Sequence, residues 1–358
     1  MEGQWSIIDL PLDVLDKVFD LLDHADKLRF AKSDRVIGEA FAYHTRYKYK
    51  RMYLSNVCGS WSDTVTICGA NIVDLDNSYT LADNQLKIIE SHCPNLQVVH
   101  LGVKDENCAA LKSLIVNLEQ LTTVRLWIGG EATPNIYHML QELPRLKTLR
   151  LYRFRKEDAS QIYKLVDLEE LKIRSNWLHP YRPTLDICQL CFHLQKLRFL
   201  KLVKIEICNP GKFPELPSSI LEKLHIIDCE ITSVLPHIPG LKEFNFFGNY
   251  FRVYQLFKWI SKHSLALEKL KMMRAHPEPD EFLDMLTCCK KLRYLIIKLP
   301  GLRITKDFLA SITSILKENG VTPDKPFQLK LNAHKKVKKV RIKHLMAETP
   351  NAELLHFW

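Results

Sequence analysis

The fold is decided by three stretches of one apolar pattern: Leu96-Gln97-Val98-Val99-His100-Leu101, Leu121-Thr122-Thr123-Val124-Arg125-Leu126 and Leu146-Lys147-Thr148-Leu149-Arg150-Leu151. Each stretch has apolar residues at its first, fourth and sixth positions. Apolar residues that alternate with polar ones are typical of a short strand with one buried face. Because one such unit cannot bury its apolar face alone, the repetition predicts parallel strands stacked side by side.

The pattern recurs at intervals of 20 to 29 residues, a period that predicts a repeat architecture. Nine clear units begin at Leu96, Leu121, Leu146, Leu168, Leu197, Leu221, Leu241, Leu267 and Leu292. A weaker unit precedes them at Ala70-xx-Val73-x-Leu75, and Val337-xx-Val340-x-Ile342 repeats the pattern near the end. Amphipathic stretches between units, such as residues 81–89 and 253–261, predict helices that pack behind the strands.

These units resemble the leucine-rich repeat family over about 280 residues, and in particular its cysteine-containing class. Cys93-Pro94-Asn95-Leu96 and the preceding Leu81-Ala82-Asp83 are similar to the CPNL and ITD positions of that class. The resemblance implies an α/β solenoid with a parallel β-sheet on its concave face and helices on its convex face. Asn176, Cys229 and Asn249 follow the strands and are expected to bond backbone groups in the turns. The alternative is an ordinary α/β domain whose leucines happen to align.

Residues 7–45 lie outside the repeat register and predict three short helices. Helix one starts at Leu10-Pro11, where a proline is tolerated because the N–H that it lacks would be unpaired there. Asp23-x-x-Asp26 predicts a cap for the second helix. So small a segment buries too little apolar surface to be stable alone, and it therefore needs a partner.

The stretch IDLPLDVLDKVFDLLDHADKLRFAKSDRVIGEAFAYH, residues 8–44, resembles the F-box. In F-box proteins this module docks on the Skp adaptor of a cullin-based ubiquitin ligase, so the resemblance implies a Skp-family adaptor and a cullin scaffold as partners. Asp13 stands where Glu is usual, and Ser33-Asp34-Arg35-Val36-Ile37 replaces the usual Val-Cys-Arg-x-Trp of the third helix. A helical cap over the first repeat is the alternative. The residues matched for adaptor binding are Leu10, Pro11, Val14, Leu15, Val18 and Phe19.

The sequence thus predicts four segments. They are an F-box-like three-helix module at 7–45, a connector or N-terminal cap at 46–69, about ten leucine-rich repeats over 70–320 and a C-terminal cap over 321–358. The stretch HKKVKKVRIKH, residues 334–344, is predicted to add a basic strand to the last segment, where its lysines discourage edge pairing. Binding of nucleic acid is the less favoured interpretation of this stretch.

One side chain of each strand is expected to face the concave side, and five of these nine are cationic while none is acidic. They are His100, Arg125, Arg150, Lys172, Lys201, His225, Asn245, Lys271 and Ile296. An acidic or phosphorylated segment of a target protein would offset their mutual repulsion, although a merely solvated basic face is the alternative. An apolar stripe lies two positions further along the strands. The predicted target-binding residues are His100, Arg125, Trp127, Arg150, Tyr152, Lys172, Lys201, Phe247 and Lys271.

The composition and the motifs exclude several classes of protein. At 46% hydrophobic and 26% charged residues the chain is neither disordered nor of low complexity. It contains no Gly-rich phosphate loop and no nucleophile elbow, so no enzyme, metal or other cofactor is expected. No apolar run approaches the roughly 18 residues that span a bilayer, and ten cysteines in so long a chain suggest reduced thiols. We therefore expect a cytoplasmic or nuclear protein without a membrane partner.

The predicted function is the substrate-recognition subunit of a Skp-cullin-F-box ubiquitin ligase, which binds targets through the repeat arc for ubiquitin-dependent degradation. The other candidate is a leucine-rich-repeat scaffold outside any ligase, or a nucleic-acid-binding protein that uses the basic concave surface.

Overall fold

A computed structural model describes residues 6–54, 61–129, 134–175, 182–208, 220–248, 253–263, 265–273, 278–297, 304–331 and 337–357. The chain divides into two compact units, Met1–Arg153 and Phe154–Trp358. Each unit consists mainly of parallel strands joined by helices. No helix in the described ranges is long and apolar enough to cross a membrane.

The first unit begins with three helices and continues with alternating strands and helices. Its helices are α1 (Leu12–Leu21), α2 (His24–Ser33), α3 (Arg35–His44), α4 (Trp61–Cys68), α5 (Asp83–His92), α6 (Cys108–Asn117) and α7 (Pro134–Gln141). Its strands are β1 (Arg51–Tyr53), β2 (Asp74–Thr80), β3 (Val98–Val103), β4 (Thr123–Ile128) and β5 (Thr148–Tyr152). Neighbouring strands pair in chain order, and every pair is parallel.

The second unit contains a main parallel sheet and a small one. The main sheet is formed by β6 (Glu170–Arg174), β8 (Phe199–Val203), β10 (Lys223–Ile227), β12 (Glu243–Phe247), β13 (Lys269–Met273), β14 (Tyr294–Ile297), β15 (Phe327–Leu331) and β16 (Leu355–Phe357). The small sheet is formed by β7 (Thr184–Asp186), β9 (Glu206–Cys208) and β11 (Glu230–Ile231). The helices are α8 (Ala159–Ile162), α9 (Ile187–His193), α10 (Val253–Lys262), α11 (Pro279–Cys288), α12 (Lys306–Glu318) and α13 (Val337–Ala347).

The predicted register of the nine clear units is confirmed within each unit of the structure. In the first unit, Val99 pairs with Val124 and Val124 with Leu149. In the second, the same position pairs from Leu171 through to Leu295, and all of these side chains are fully buried. Each buried leucine contributes about 1.5 to 3 kcal/mol, so the repeated apolar positions form the core of both units.

The weak unit before them is predicted in the wrong register. Leu75 pairs with Val99, so it occupies the fourth position of its unit, while Ile72 takes the first and Asn77 the sixth. The sequence pattern misleads because the apolar Val73 and Leu75 imitate the fourth and sixth positions, whereas the true sixth position is the polar Asn77. Strand β2 is also irregular between Asp76 and Thr80. The Asn77 amide is satisfied locally, since its Nδ2 donates to the Tyr79 carbonyl at 2.8 Å. A polar residue can therefore occupy a position that an apolar residue fills in other units.

The segment predicted to be a connector holds a further repeat strand. Met52 of β1 is buried and pairs with Leu75. Tyr49 and Leu54, three positions before Met52 and two after it, are buried as well. The first, fourth and sixth positions of a repeat unit are thus occupied here by Tyr, Met and Leu, which the leucine spacing alone did not reveal.

The predicted basic strand at the C-terminal end is wrong. Residues Val337–Ala347 form α13, and the last strand beside β15 is Leu355–Phe357. Val337 and Val340 are three residues apart, a spacing that suits a helix as well as the repeat. Lys, Arg, Leu, Met and Ala around them favour the helix.

The turn residues and helix positions are confirmed where the structure describes them. Cys229 is buried, and its Sγ donates to the Ile227 carbonyl at 3.4 Å. Asn176 and Asn249 lie outside the described residues. The helices predicted near residues 81–89 and 253–261 are α5 and α10.

Three helices occupy residues 7–45, as the sequence predicts. Phe19 is at the centre of their core, with its ring centroid 5.2 Å from that of Phe41. Asp23 Oδ1 accepts from the Asp26 N–H at 2.8 Å and caps α2. Asp34 caps α3 in the same way, with its Oδ1 2.7 Å from the Val36 nitrogen. The unusual Asp34 of the third helix therefore has a structural role in this chain.

Candidate protein-interaction surfaces

The three-helix head carries apolar side chains that its own core does not cover. Val14, Val18 and Leu21 lie at i, i+4 and i+7 on α1, so they share one face of the helix. Leu21 is 87% exposed, and Val14 and Val18 are half-buried. We call these three residues the α1 strip. Ile7, Ile8, Leu12 and Val36 are further exposed apolar residues of the same small module.

Two of the predicted adaptor contacts are not surface residues. Leu15 and Phe19 are completely buried in the head core, because they occupy the face of α1 that packs on α2 and α3. They support the head from within and cannot touch a partner directly. Leu10 is half-buried against the same core, while Pro11 is exposed. Leu21 is not among the predicted adaptor contacts, although its seven-residue spacing from Val14 places it on the same helix face.

The head shares its core with the first repeat. Tyr49 and Cys68 belong to the same buried cluster as Phe19 and Phe41. The Asn71 amide donates to the Ala42 carbonyl at 2.8 Å, and Lys32 Nζ lies 2.9 Å from Asp63 Oδ2. The head therefore also covers the start of the repeats, which was the alternative interpretation of this segment. Covering the repeats and binding a partner use different faces of the head.

Sheet residues that alternate with the buried positions are half-buried and lie on the opposite face of each sheet, here called the outer face. In the first unit, His100 pairs with Arg125 and Arg125 with Arg150. In the second, Lys172 pairs with Lys201, and the column continues through His225, Asn245, Lys271 and Ile296. The predicted column of outward residues is thus formed within each unit.

The corrected register of β2 places two acids on the outer face of the first unit. Asp76 pairs with His100, and the carboxylate Oδ1 is 2.8 Å from His100 Nδ1. Arg125 lies within 3.9 Å of Asp74 and 3.8 Å of Asp76. Arg51 reaches Asp74 at 3.2 Å. The nine side chains predicted for the column include no acid, but these two acids of β2 adjoin it and pair with Arg125.

The aromatic part of this face adjoins the charged network. The Trp127 ring stacks on Tyr152 with centroids 5.6 Å apart and an interplanar angle of 21°. The His100 ring lies 5.6 Å from Tyr152 on the other side. The Arg153 guanidinium stands over Trp127 at 5.2 Å. Strand register and these ring contacts bring all five predicted target-binding residues of the first unit together. Trp127 is 37% exposed, so the aromatic surface at their centre is accessible.

The outer face of the second unit is basic but more dispersed. Lys172 Nζ is 3.2 Å from Glu170 and 4.7 Å from the centre of the Phe199 ring. Lys201 has no ion pair among the described residues. Burial lowers the pKa of His225 although Glu243 lies 3.0 Å away and opposes the shift, so this imidazole is neutral near pH 7. The apolar stripe is in register, with Phe247 between Ile227 and Met273.

The side chains of the described ranges form no group of three His, Cys, Asp or Glu that could hold a metal ion. Burial raises the pKa of the Cys93, Cys188, Cys191 and Cys289 thiols to about 12. These thiols are therefore protonated near neutral pH and serve as small apolar core groups.

The repeat period, the strand at the centre of each unit and the in-register parallel pairing define a leucine-rich-repeat fold, an architecture that presents extended surfaces for protein interaction. Among solved structures, the chain is similar to an internalin C2 (inlC2) from Listeria monocytogenes. The identity is 18%, the match covers 48% of this chain and 68% of that chain, and the TM-score is 0.32. No protein-family model matches the chain, and no curated protein matches it either.

Proposed function

We propose that this protein is the substrate-recognition subunit of a Skp-cullin-F-box ubiquitin ligase. The head binds the Skp-family adaptor, and the repeats hold the target. The mechanism is tethering, in which the target lysines gain a high effective concentration near the charged ubiquitin carrier. The chain itself makes and breaks no bond.

The observation that carries this proposal is the α1 strip. An apolar side chain as exposed as Leu21, next to two half-buried valines, costs solvation free energy unless a partner covers it. The core of the head consists of other residues, among them Leu15, Phe19 and Phe41. The α1 strip is therefore not needed to form that core. The LP start just before α1 and the three short helices, two of them capped by aspartates, agree with the F-box resemblance.

The charge distribution makes nucleic acid the weaker candidate. Asp74 and Asp76 lie within the outer face of the first unit, where a phosphate backbone would meet like charge. A surface that mixes acids, cations and aromatic rings is typical of protein partners instead.

The test is binding of the full chain to a purified Skp-family adaptor in complex with a cullin, measured by calorimetry and size-exclusion chromatography. We expect a one-to-one complex. Leu21→Asp should weaken it at least about tenfold, because a charge replaces an apolar anchor at the centre of the contact. Its melting curve should stay unchanged, because the side chain is exposed in the free protein.

The matched control is Leu265→Asp, the same substitution at a leucine that is 80% exposed in the second unit. It should bind the adaptor like the wild type. A folded wild-type chain that forms no complex, or a Leu21→Asp variant with wild-type affinity, would show that the head only covers the first repeat. Truncation of residues 1–45 is a poorer test, because it also uncovers Tyr49 and Cys68.

A further inference from the structure

On the outer face of the first unit, Arg150 is a cation that its described neighbours leave without a carboxylate partner. Arg125 is 14% exposed and is held between Asp74 and Asp76. Arg150 lies next to it in register but has no ion pair among the residues that the structure describes. Its Nε is buried and has no hydrogen-bond partner. The Arg150 side chain as a whole is half-buried, so the terminal nitrogens of its guanidinium are the donors that an acceptor from outside can reach.

The position of Arg150 between two arginines favours an anion. Arg125 is adjacent in the sheet, where neighbouring strands lie roughly 4.8 Å apart, and Arg153 follows on the same strand end. The two aspartates offset Arg51 and Arg125, which leaves the net charge of the face positive at Arg150 and Arg153. An external carboxylate would relieve this repulsion and accept two parallel hydrogen bonds from one guanidinium.

An aromatic platform borders the anion position. Thr80, Gly102, Trp127 and Tyr152 follow one another in register along the edge of the outer face. At Gly102 a Cβ would come within 2.7 Å of the Tyr79 carbonyl carbon, so only glycine lets the backbone of β2 pass this close. Tyr79 is itself exposed. Its backbone lies against Gly102 of β3, the strand next to the β4 strand that carries Trp127.

We propose that the outer face of the first unit binds an acidic peptide segment of a partner protein, with an Asp or Glu carboxylate on Arg150 and the adjacent aromatic or apolar side chain on Trp127. The proposal rests on the proposed function in that the segment would belong to the ligase target. The acid pair Asp74 and Asp76 positions Arg125 and excludes a second anion, so the site takes a single carboxylate. The Arg153 guanidinium is engaged over the Trp127 ring, so Arg150 is the guanidinium that meets the ligand, and one such group matches one negative charge better than the double charge of a phosphate.

The test is selection of peptides from a random library displayed on phage, with the full chain immobilised and Arg150→Glu used for counter-selection. We expect enrichment of sequences that hold Asp or Glu next to Trp, Tyr, Phe or Leu. Selected peptides, labelled with fluorescein, are then measured by fluorescence polarisation. Arg150→Ala and Trp127→Ala should each lower the affinity at least about tenfold. Arg150→Lys should recover only part of it, since an ammonium cannot donate in the forked geometry.

Lys223→Ala is the matched control, because Lys223 is an exposed cation on the outer face of the second unit and is not among the predicted target-binding residues. It should bind the peptides within about twofold of the wild type. Failure to enrich any acidic sequence, or equal binding by Arg150→Ala, would overturn the proposal. Replacement of the acid by phosphotyrosine with a gain of tenfold or more would also overturn it, by assigning the site to phosphate. None of these measurements involves the adaptor, so failure here is separable from failure of the head to bind it.

Discussion

His263 illustrates how burial sets the chemistry of a single side chain. It is 3% exposed, its Nε2 accepts from the Ile238 N–H at 2.7 Å, and its Nδ1 donates to the Trp259 carbonyl at 2.7 Å. Loss of solvation, with a smaller contribution from His237, lowers the pKa of His263 to about 4. Both ring nitrogens are used only in the neutral form, in which one accepts and the other donates.

Protonation of His263 should therefore destabilise the second unit. The unfolded chain takes up this proton near pH 6.5, whereas the folded chain resists it until about pH 4, so stability is complete above pH 6.5 and declines as the pH falls. The expected loss is about 2 kcal/mol between roughly pH 6.5 and roughly pH 5. Urea unfolding at these two pH values measures it.

His263→Gln provides the comparison, since an amide can donate and accept but does not titrate. The variant should be less stable than the wild type near pH 7 and should lack this part of the pH dependence. Burial also lowers the pKa of His225, but this residue is present in both proteins. Its contribution to the pH dependence of stability is therefore the same in both and cancels when they are compared. An identical pH dependence of the two proteins would contradict the role of His263.

Strand β6 is the element in which the alternation of faces can be tested most simply. Leu171 is completely buried, and a carboxylate there would be placed among apolar neighbours at a cost of several kcal/mol. Leu171→Asp should unfold the second unit or lower its melting temperature sharply. Lys201→Asp, on the outer face of neighbouring β8, should change the stability by less than about 1 kcal/mol because the new charge lies beside Lys172.

Far-ultraviolet circular dichroism during heating distinguishes the two variants. If Leu171→Asp melts like the wild type, the register of β6 is wrong and the outer-face assignments of the second unit are wrong with it. If Lys201→Asp unfolds the unit, the outer face is not a solvent-facing surface.

At the element scale, most of the repeat strands were predictable and the ends of the array were not. The apolar spacing located the nine strands from β3 to β14 that belong to the main sheets, because alternation is a property of each strand by itself. It missed β1 and β16, where Tyr49, Met52 or Phe357 replaces a leucine, and it missed β15, where Pro326 takes the first position. It also assigned the basic stretch at residues 334–344 to a strand, because a three-residue apolar spacing is common to a repeat and a helix.

At the scale of the whole molecule, one chain carries two candidate binding surfaces, the α1 strip and the outer face around Arg150. If the proposed function and the proposed peptide site are both correct, ubiquitin transfer needs both of them. In a reconstituted ligase with a substrate that carries a selected acidic peptide, Leu21→Asp and Arg150→Glu should each abolish ubiquitin transfer. Each should leave the other binding reaction at its wild-type affinity.

Gel analysis of ubiquitin chains, together with the two binding measurements, checks this expectation. Leu265→Asp and Lys223→Ala serve as active controls. Transfer that survives Arg150→Glu while adaptor binding is intact would place the target site on another surface of the chain.

The sequence by itself determined the repeat, its period, the buried positions of the nine clear units and the face on which Arg125, Trp127, Arg150 and Tyr152 lie. These properties follow from side-chain alternation within each short strand, which is local. Only the tertiary structure decided that Asp74 and Asp76 pair with Arg125, that Arg150 has no counter-charge among the described residues, and that Leu15 and Phe19 are core while Leu21 is exposed. The reason is that ion pairing and burial depend on which strand or helix lies alongside. The polar Asn77 at the sixth position of its unit hides the true register of β2, which differs by two residues from the one that the leucine spacing suggests.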